Sequence, residues 1–325
     1  MNNTITEKLV LAIKQTLPPK AYIAPYLVEL LALGKEAVYR RLRGEVPFNI
    51  NEVVLIANDL KISLDSILGR KNEKKVIFDL NIIDQDNPIE SYYEILKGYI
   101  DILKMMENNS NASLDSAFNI IPHFFFPNNE HIAKFQLYKW LSISKNKRTL
   151  LPYSLFHIPE KVKEIQQIHS QIDHLNINMT YILNKNIFSA FANDVIYFHQ
   201  MKMLTEEEKE LIKEELIKLI SRLEQFAIQG EFDTGAKIAI YISNINLDAS
   251  YTFYQNGDSE TTHFRIFSIN AIESKNKLIC QAQKEWLQAL KDHSILITQS
   301  NRLHRHLYFT EQYEQIDNMF KRPNS

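Results

Sequence analysis

Four cationic side chains fall within nine residues near the start of the chain. Read as a helix from Lys35 to Arg43, this segment places Val38 and Leu42 four residues apart on one face. The opposite face then presents charged and aromatic side chains: Lys35, Glu36, Tyr39, Arg40 and Arg43. An arginine can grip the O6 and N7 atoms of guanine, and a carboxylate can accept a hydrogen bond from cytosine N4. The pattern therefore suits contact with DNA, although a short charged helix is also typical of a solvated surface.

The sequence around this segment predicts a bundle of five short helices. Pro18 and Pro19 end the first helix, and Pro25 suits the first turn of the second. A tight turn at residues 32–34 joins the second helix to the third, which stops at Gly44. Two short helices around such a turn are typical of helix-turn-helix domains. The predicted helices cover residues 4–16, 25–31, 35–43, 51–60 (capped by Asn49 or Asn51) and 64–68.

Residues 27–45, with residues 50–69 behind them, resemble the lambda-repressor-like (Xre-type) DNA-binding domain, and the resemblance covers residues 4–69. The sequence departs from that family at four places. Ala32 stands where the turn usually has Gly, and Gly34 where the third helix usually has a Ser cap. Ala24 replaces a Gln that commonly anchors a phosphate, and Lys61 occupies a slot that is usually Gly. These changes are compatible with the fold and concern the docking on DNA.

The resemblance implies a division of labour between base contacts and phosphate contacts. Base edges in the major groove would be met by Lys35, Glu36, Tyr39 and Arg40. Phosphates, which fix register without carrying sequence information, would be met by Arg41, Arg43 and the amides near Asn49 and Asn51. Double-stranded DNA is therefore the expected partner.

Composition argues against several other classes of protein. None of the seven glycines forms a dinucleotide-binding or P-loop pattern. Cys280 is the sole cysteine, which excludes an internal disulfide and a paired-cysteine zinc site. No signal-peptide layout or membrane-length apolar run is visible, and no nucleophile-and-base set stands out. We expect a cytoplasmic protein that is not an enzyme and has no metal, no cofactor and no membrane partner.

Charge and composition divide the chain into a head, residues 1–75, and a body, residues 76–325. The head carries 12 Lys and Arg against 8 Asp and Glu, and the body carries 25 against 31. A basic head on an acidic body is suited to a head that meets a polyanion. Residues 70–75 form a charged run without apolar periodicity. We predict a helix-turn-helix domain at 1–69, a linker at 70–75 and a dimerisation or sensor body at 76–325.

The body shows helical periodicity first and strand-like alternation later. Helices are predicted at residues 89–106, 159–175, 186–203, 205–228 and 277–290. Alternation begins after Gly230, and Asn256-Gly257 predicts a hairpin turn. The predicted fold class is mainly α: a five-helix head followed by a largely helical body with a small antiparallel sheet near the C-terminus.

Two functions remain open from the sequence. The first is a sequence-specific transcriptional regulator with recognition helix 35–43, acting as a homodimer, in which the body dimerises, senses a small-molecule or peptide effector, or does both. The second is a protein-interaction module, in which the helical body binds a protein partner and the head is a docking or dimerisation device. The replacement at Ala24 and the modest excess of positive charge favour the second slightly.

Overall fold

The computed structural model divides the chain into two compact units, Met1–Lys75 and Val76–Ser325. It describes residues 5–17, 23–60, 62, 64, 76–82, 84, 86–107, 109, 111–122, 125–126, 129–144, 151–169, 176–232, 234–266 and 269–321. The two units are the head and the body, and each is described by itself.

The described part of the head contains four helices around one core. Their bounds are α1 Ile5–Thr16, α2 Ile23–Leu31, α3 Lys35–Leu42 and α4 Ile50–Asp59. Leu9, Ile13, Leu27, Val38 and Ile56 are completely buried together. The side chains that the third-helix pattern assigns to the interior therefore lie there. The predicted fifth helix, residues 64–68, falls outside the described residues except for Leu64.

One face of α4 is apolar but not covered by the core. Val53 and Ile56 are buried, whereas the side chain of Val54 is exposed. Leu55 is exposed as well, and Ile50, one turn before Val54, is 72% exposed. Because residues four apart on a helix are neighbours, Ile50 and Val54 form an uncovered apolar strip on the described head.

The body contains seven α-helices and eight strands within its described residues. The helices are α5 Pro88–Glu107, α6 Glu130–Ser144, α7 Glu160–His169, α8 Ile187–Gln200, α9 Glu206–Gln229, α10 Lys277–Asp292 and α11 Arg302–Lys321. The strands are β1 Asp79–Asn81, β2 Ser113–Phe118, β3 Asn178–Leu183, β4 Ile238–Ser243, β5 Tyr251–Asn256, β6 Ser259–Arg265, β7 Ala271–Ser274 and β8 Ser294–Leu296.

The predicted fold class is wrong for the body. All eight strands form one mixed sheet in the order β1-β7-β6-β5-β2-β3-β4-β8, so the sheet is large and is not confined to the C-terminal part. Strands β2, β3 and β4 are parallel, and β5 and β8 flank them antiparallel. The parallel pairs require long crossovers, which carry helices α6 and α7 and then helices α8 and α9. The body is therefore an α/β unit and not a largely helical one.

The missed strands lack the signal that strand prediction uses. A strand covered on both faces shows no alternation of apolar and polar residues, and β3 is a buried run of this kind. β2 contains Asp115 and Ser116, which look unsuitable for a central strand. Asp115 forms an ion pair with Lys291 of α10 at 3.0 Å, and the Ser116 hydroxyl donates to Thr252 of β5 at 2.9 Å. Their partners lie more than 100 residues away, so the compensation is not visible locally.

Separate apolar clusters cover the two faces of the sheet. Tyr181, on one face, packs with residues of α6, α8, α9 and α11, including Phe135, Phe188 and Ile316. Ile182, the next residue of β3, faces the opposite way and packs with Leu287 of α10. This alternation is the expected consequence of the pleat, and it makes the sheet the middle layer of the body.

Several local predictions are confirmed. The helix predicted at 89–106 is α5, and the helix predicted at 205–228 is α9, which Thr205 caps in a capping box with Glu208. The turn at Asn256-Gly257 joins β5 to β6, with Gly257 at a φ of 60°. In the part of the chain that the structure describes, no helix has the length and apolar character needed to cross a membrane.

The turn before α3 contains an alanine, Ala32, whose backbone conformation is energetically unfavourable. Ala32 has a φ of 51°, in the left-handed region that costs a residue with a Cβ about 1–2 kcal/mol. We expect Ala32→Gly to stabilise the head by about 0.5–1 kcal/mol, because the relieved strain exceeds the extra entropy of the unfolded chain. Ala12→Gly, in the middle of α1, should cost about 1 kcal/mol. Amide hydrogen exchange across α2 and α3 measures both, and equal losses of protection would contradict the assignment of strain to Ala32.

Candidate nucleic-acid interface

The helix α3 begins directly after the tight turn and has one buried face. Gly34 precedes it in an extended conformation and provides no side-chain cap. Val38 is completely buried against the core that contains Leu27 and Ile56, and Leu42 is partly buried there. This anchoring fixes the rotation of α3, so its remaining side chains point away from the core.

The outer face of α3 carries the side chains that the sequence assigned to DNA. Lys35, Glu36, Tyr39 and Arg40 are all exposed, and Arg43 follows directly after the last turn and is exposed too. The structure thus brings five of the eight predicted site residues to one surface, which we call the α3 face (Lys35, Glu36, Tyr39, Arg40 and Arg43). Its mixture of donors, acceptors and an aromatic ring is suited to the varied edges of base pairs.

Acidic residues already pair with the arginines of the α3 face. The Arg43 guanidinium donates to Glu45 Oε1 at 2.6 Å and to Glu36 Oε1 at 3.1 Å. The Nε atom of Arg40 lies 3.7 Å from Glu45 Oε2. The hydrogen bond from Arg43 holds the pKa of Glu45 below its usual range, so Glu45 carries its negative charge at neutral pH. Sequence reasoning missed Glu45, although its position just after the charged helix was visible.

Arg41 occupies a different environment from its neighbours. Its Nε donates to Glu52 Oε2 at 2.9 Å and its Nη2 donates to Glu52 Oε1 at 2.8 Å. The two side chains are only 15% and 10% exposed, respectively. The guanidinium therefore has a bidentate partner inside the head, and its predicted contact with a phosphate would require this pair to open or to share a donor.

Glu52 also organises the start of α4. Its Oε2 accepts from the Asn49 backbone N–H, and the Asn49 side chain accepts from the Glu52 backbone N–H, both at 3.0 Å. These two hydrogen bonds form a reciprocal capping box. The sequence left Asn49 and Asn51 open as the cap, and the structure shows that Asn49 is the N-cap. Asn51 is exposed in the first turn of α4. The spacing Asn49-x-x-Glu52 was the signal that could have identified Glu52.

The comparison with protein families agrees with a helix-turn-helix head. The BetR domain family matches residues 1–81, about a quarter of the chain. The match supports a DNA-binding domain of the helix-turn-helix type at the N-terminus, and it does not single out the lambda-repressor-like family. The comparison with curated proteins found no match.

One solved structure was found, described as that of TrmBL2, an archaeal chromatin protein that shows a novel mode of DNA binding. It shares 9% sequence identity with this chain at a TM-score of 0.24, with 90% of this chain and 100% of that chain covered. A TM-score this low does not establish a common fold.

The pair formed by Arg41 and Glu52 predicts unequal effects for two neighbouring arginines. Arg41→Ala leaves a mostly buried carboxylate with one partner fewer, and we expect a loss of about 2–4 kcal/mol of head stability. Arg40→Ala removes an exposed side chain and should change stability by less than about 0.5 kcal/mol. Hydrogen exchange of the head amides measures both values. Equal effects of the two substitutions would show that the pair does not stabilise the head.

Glu45 predicts a variant with stronger binding to DNA of any sequence. Glu45→Gln removes the negative charge that Arg40 and Arg43 share. Arg40 then has no carboxylate partner in the described head and Arg43 keeps only Glu36, so both guanidinium groups become more available to phosphates. We expect tighter binding to random duplex and a steeper dependence on salt, because more counterions are released. Glu29→Gln makes the same change of net charge on the exposed surface of α2 and is the control. An identical gain in both variants would mean that net charge alone is responsible.

Proposed function

We propose that the chain is a sequence-specific DNA-binding transcriptional regulator whose helix α3 enters the major groove. The observation that carries the proposal is the two-sided character of α3. One face is fixed in the head core through Val38, and the other face exposes Lys35, Glu36, Tyr39, Arg40 and Arg43. The match of residues 1–81 to the BetR domain family supports the same class of protein.

The mechanism follows from the charges on the α3 face. In free protein, Glu36 and Glu45 occupy the donors of Arg43, and Glu45 lies near Arg40. Binding to DNA would replace these carboxylates with phosphates and base edges. The free energy needed to break the internal pairs would offset part of the electrostatic attraction to DNA. This lowers affinity for DNA in general and leaves discrimination to the base contacts of Arg40 and Glu36.

The regulator would act as a homodimer. A single head offers few base contacts, and specific affinity normally requires two heads on half-sites about one helical turn apart. The exposed apolar strip of Ile50 and Val54 is one surface through which heads could associate. The body would contribute dimerisation, effector sensing or both.

The first experiment measures binding of the full-length protein to fragments of its own genomic neighbourhood. Two salt concentrations and a competing random duplex separate specific from general binding. We expect a complex with a preferred fragment that weakens as salt increases. A folded protein that shows no preference over random duplex would contradict the proposal.

Two substitutions test the docking of α3. Arg40→Ala should reduce discrimination between the preferred and a mutated site by about 1–3 kcal/mol. Arg43→Ala should weaken binding to all sequences alike, because phosphate contacts carry no sequence information. Lys14→Ala, on the exposed surface of α1, removes the same charge from another helix and is the control. Wild-type behaviour of both arginine variants would contradict this docking.

The second candidate is a protein-interaction module with the head as a docking or dimerisation device. The uncovered strip of Ile50 and Val54, together with the internally paired arginines, favours it. Under this candidate the wild-type protein shows no preference for any duplex over random DNA, and Ile50→Ser with Val54→Ser abolishes association of the full-length chain, measured by sedimentation. If the double variant remains associated, the head does not have this role.

A further inference from the structure

A cavity of about 170 Å³ lies within the body, between the helix α5 and one face of the sheet. Tyr92, Leu96 and Tyr99 of α5 line it from the helix side. Thr252 and Tyr254 of β5 line it from the sheet side. All these elements belong to the same compact unit, so the cavity is a feature of the body alone.

A cation projects into this cavity from β6. His263 and Arg265 lie two residues apart, so both project from the same face of the strand, and both line the cavity. The Nη1 atom of Arg265 is buried and has no hydrogen-bond partner among the residues that the structure describes. A buried donor without a partner is costly, because it has lost its water without a replacement. Such an atom at a cavity wall indicates a missing acceptor.

The surroundings of Arg265 do not neutralise its charge. The groups that act most strongly on its pKa, besides burial, are Tyr99, Tyr254 and Tyr92, and no carboxylate is among them. Burial raises the pKa of Tyr92 to about 12, so this hydroxyl stays neutral at physiological pH. Burial, assisted by the charge of Arg265, lowers the pKa of His263 to about 4, so this ring stays neutral as well. The guanidinium itself remains charged.

The tyrosines add a second donor. Gln166 Nε2 donates to the Tyr92 hydroxyl oxygen at 3.3 Å, which leaves the hydrogen of that hydroxyl unused by this bond. A guanidinium beside a phenol hydroxyl matches the two oxygens of a carboxylate. Glu273 also lines the cavity, where burial raises the pKa of its carboxyl and favours the neutral form. Any negative charge that it keeps repels the ligand, so one negative charge on the ligand fits this cavity better than two.

Cavity size limits the rest of the ligand. A cavity of about 150 Å³ with an apolar lining is known to admit benzene. Ile95, Leu96 and Ile102 supply an apolar wall here, and Gly98 lies at an exposed position of the lining. A Cβ added at Gly98 would meet no atom within 4 Å, so this position leaves open space beside the cavity.

We infer that the body binds a small organic monocarboxylate with an apolar tail or single ring, with its carboxylate on Arg265 and Tyr92 and its apolar part along α5. Binding to this site is independent of DNA. Only its role as an effector site rests on the proposed regulator function. The ligand would then be what the body senses.

The test uses the full-length protein and two matched pairs of probes: hexanoate with hexanamide, and phenylacetate with phenylacetamide. Calorimetric titration without DNA measures binding directly. We expect at least one acid to bind at least tenfold more tightly than its amide, because only the acid carries the charge. Millimolar acid without detectable binding, or equal affinity for acid and amide, would overturn the inference.

Three variants locate the binding site. Arg265→Met should weaken the acid at least tenfold without lowering the melting temperature of the ligand-free protein, because it removes an unpaired buried donor. Lys97→Met makes the same replacement at an exposed position of α5 and should bind like wild type. Gly98→Leu should weaken the binding of acid and amide alike by filling space in the cavity. If Arg265→Met does not fold, Gly98→Leu alone tests whether the ligand binds in this cavity. Unchanged binding of the acid by Gly98→Leu or Arg265→Met would place the ligand elsewhere and overturn the inference.

A separate titration of the preferred DNA fragment, with and without the bound acid, distinguishes the two proposals. If the protein binds the acid but no DNA, the carboxylate site is supported and the regulator function is contradicted. If the protein binds DNA specifically but none of the acids, the regulator function is supported and the carboxylate site is contradicted.

Discussion

The organisation of the head depends on one carboxylate. Glu52 accepts hydrogen bonds from the Arg41 guanidinium and from the Asn49 backbone, so it joins α3 to the beginning of α4. A bidentate pair fixes orientation as well as distance. Together with the burial of Val38, it determines the rotation of α3 and hence which side chains the helix presents to solvent. The α3 face is a consequence of these internal contacts, because none of its own side chains anchors it to the core.

That face is less basic than its arginines suggest. Glu36 and Glu45 pair with Arg43, and Glu45 also lies beside Arg40. Exposed pairs of this kind add little to stability, since water screens them and their side chains lose entropy. Under the proposed function, these carboxylates would compete with phosphates for the same donors and would thereby reduce attraction to DNA that carries no target sequence. Such competition favours selectivity over affinity.

The body shows the opposite arrangement, with charge in the interior. Arg265 has a buried donor that the described protein does not satisfy, beside a cavity lined by tyrosines. Asp115 and Ser116 show how the same unit satisfies polar groups elsewhere, with an ion pair and a hydrogen bond to distant elements. Because buried polar groups are normally paired, the exception at Arg265 is informative. An uncompensated group that persists next to empty space is typical of a site that a ligand completes.

The sequence by itself determined the features that depend on neighbouring residues. Helical periodicity, prolines and caps predicted the helices of the head, α5 and α9, and Asn256-Gly257 predicted the turn between β5 and β6. The eight-stranded sheet was decided only by tertiary structure, because β2 and β3 pair across about 60 residues and are covered on both faces. The same holds for the environments of Arg41 and Arg265. In a linear sequence both are ordinary cations, and only packing gives one of them a carboxylate and the other a cavity, because partners in space are set by the fold and not by spacing along the chain.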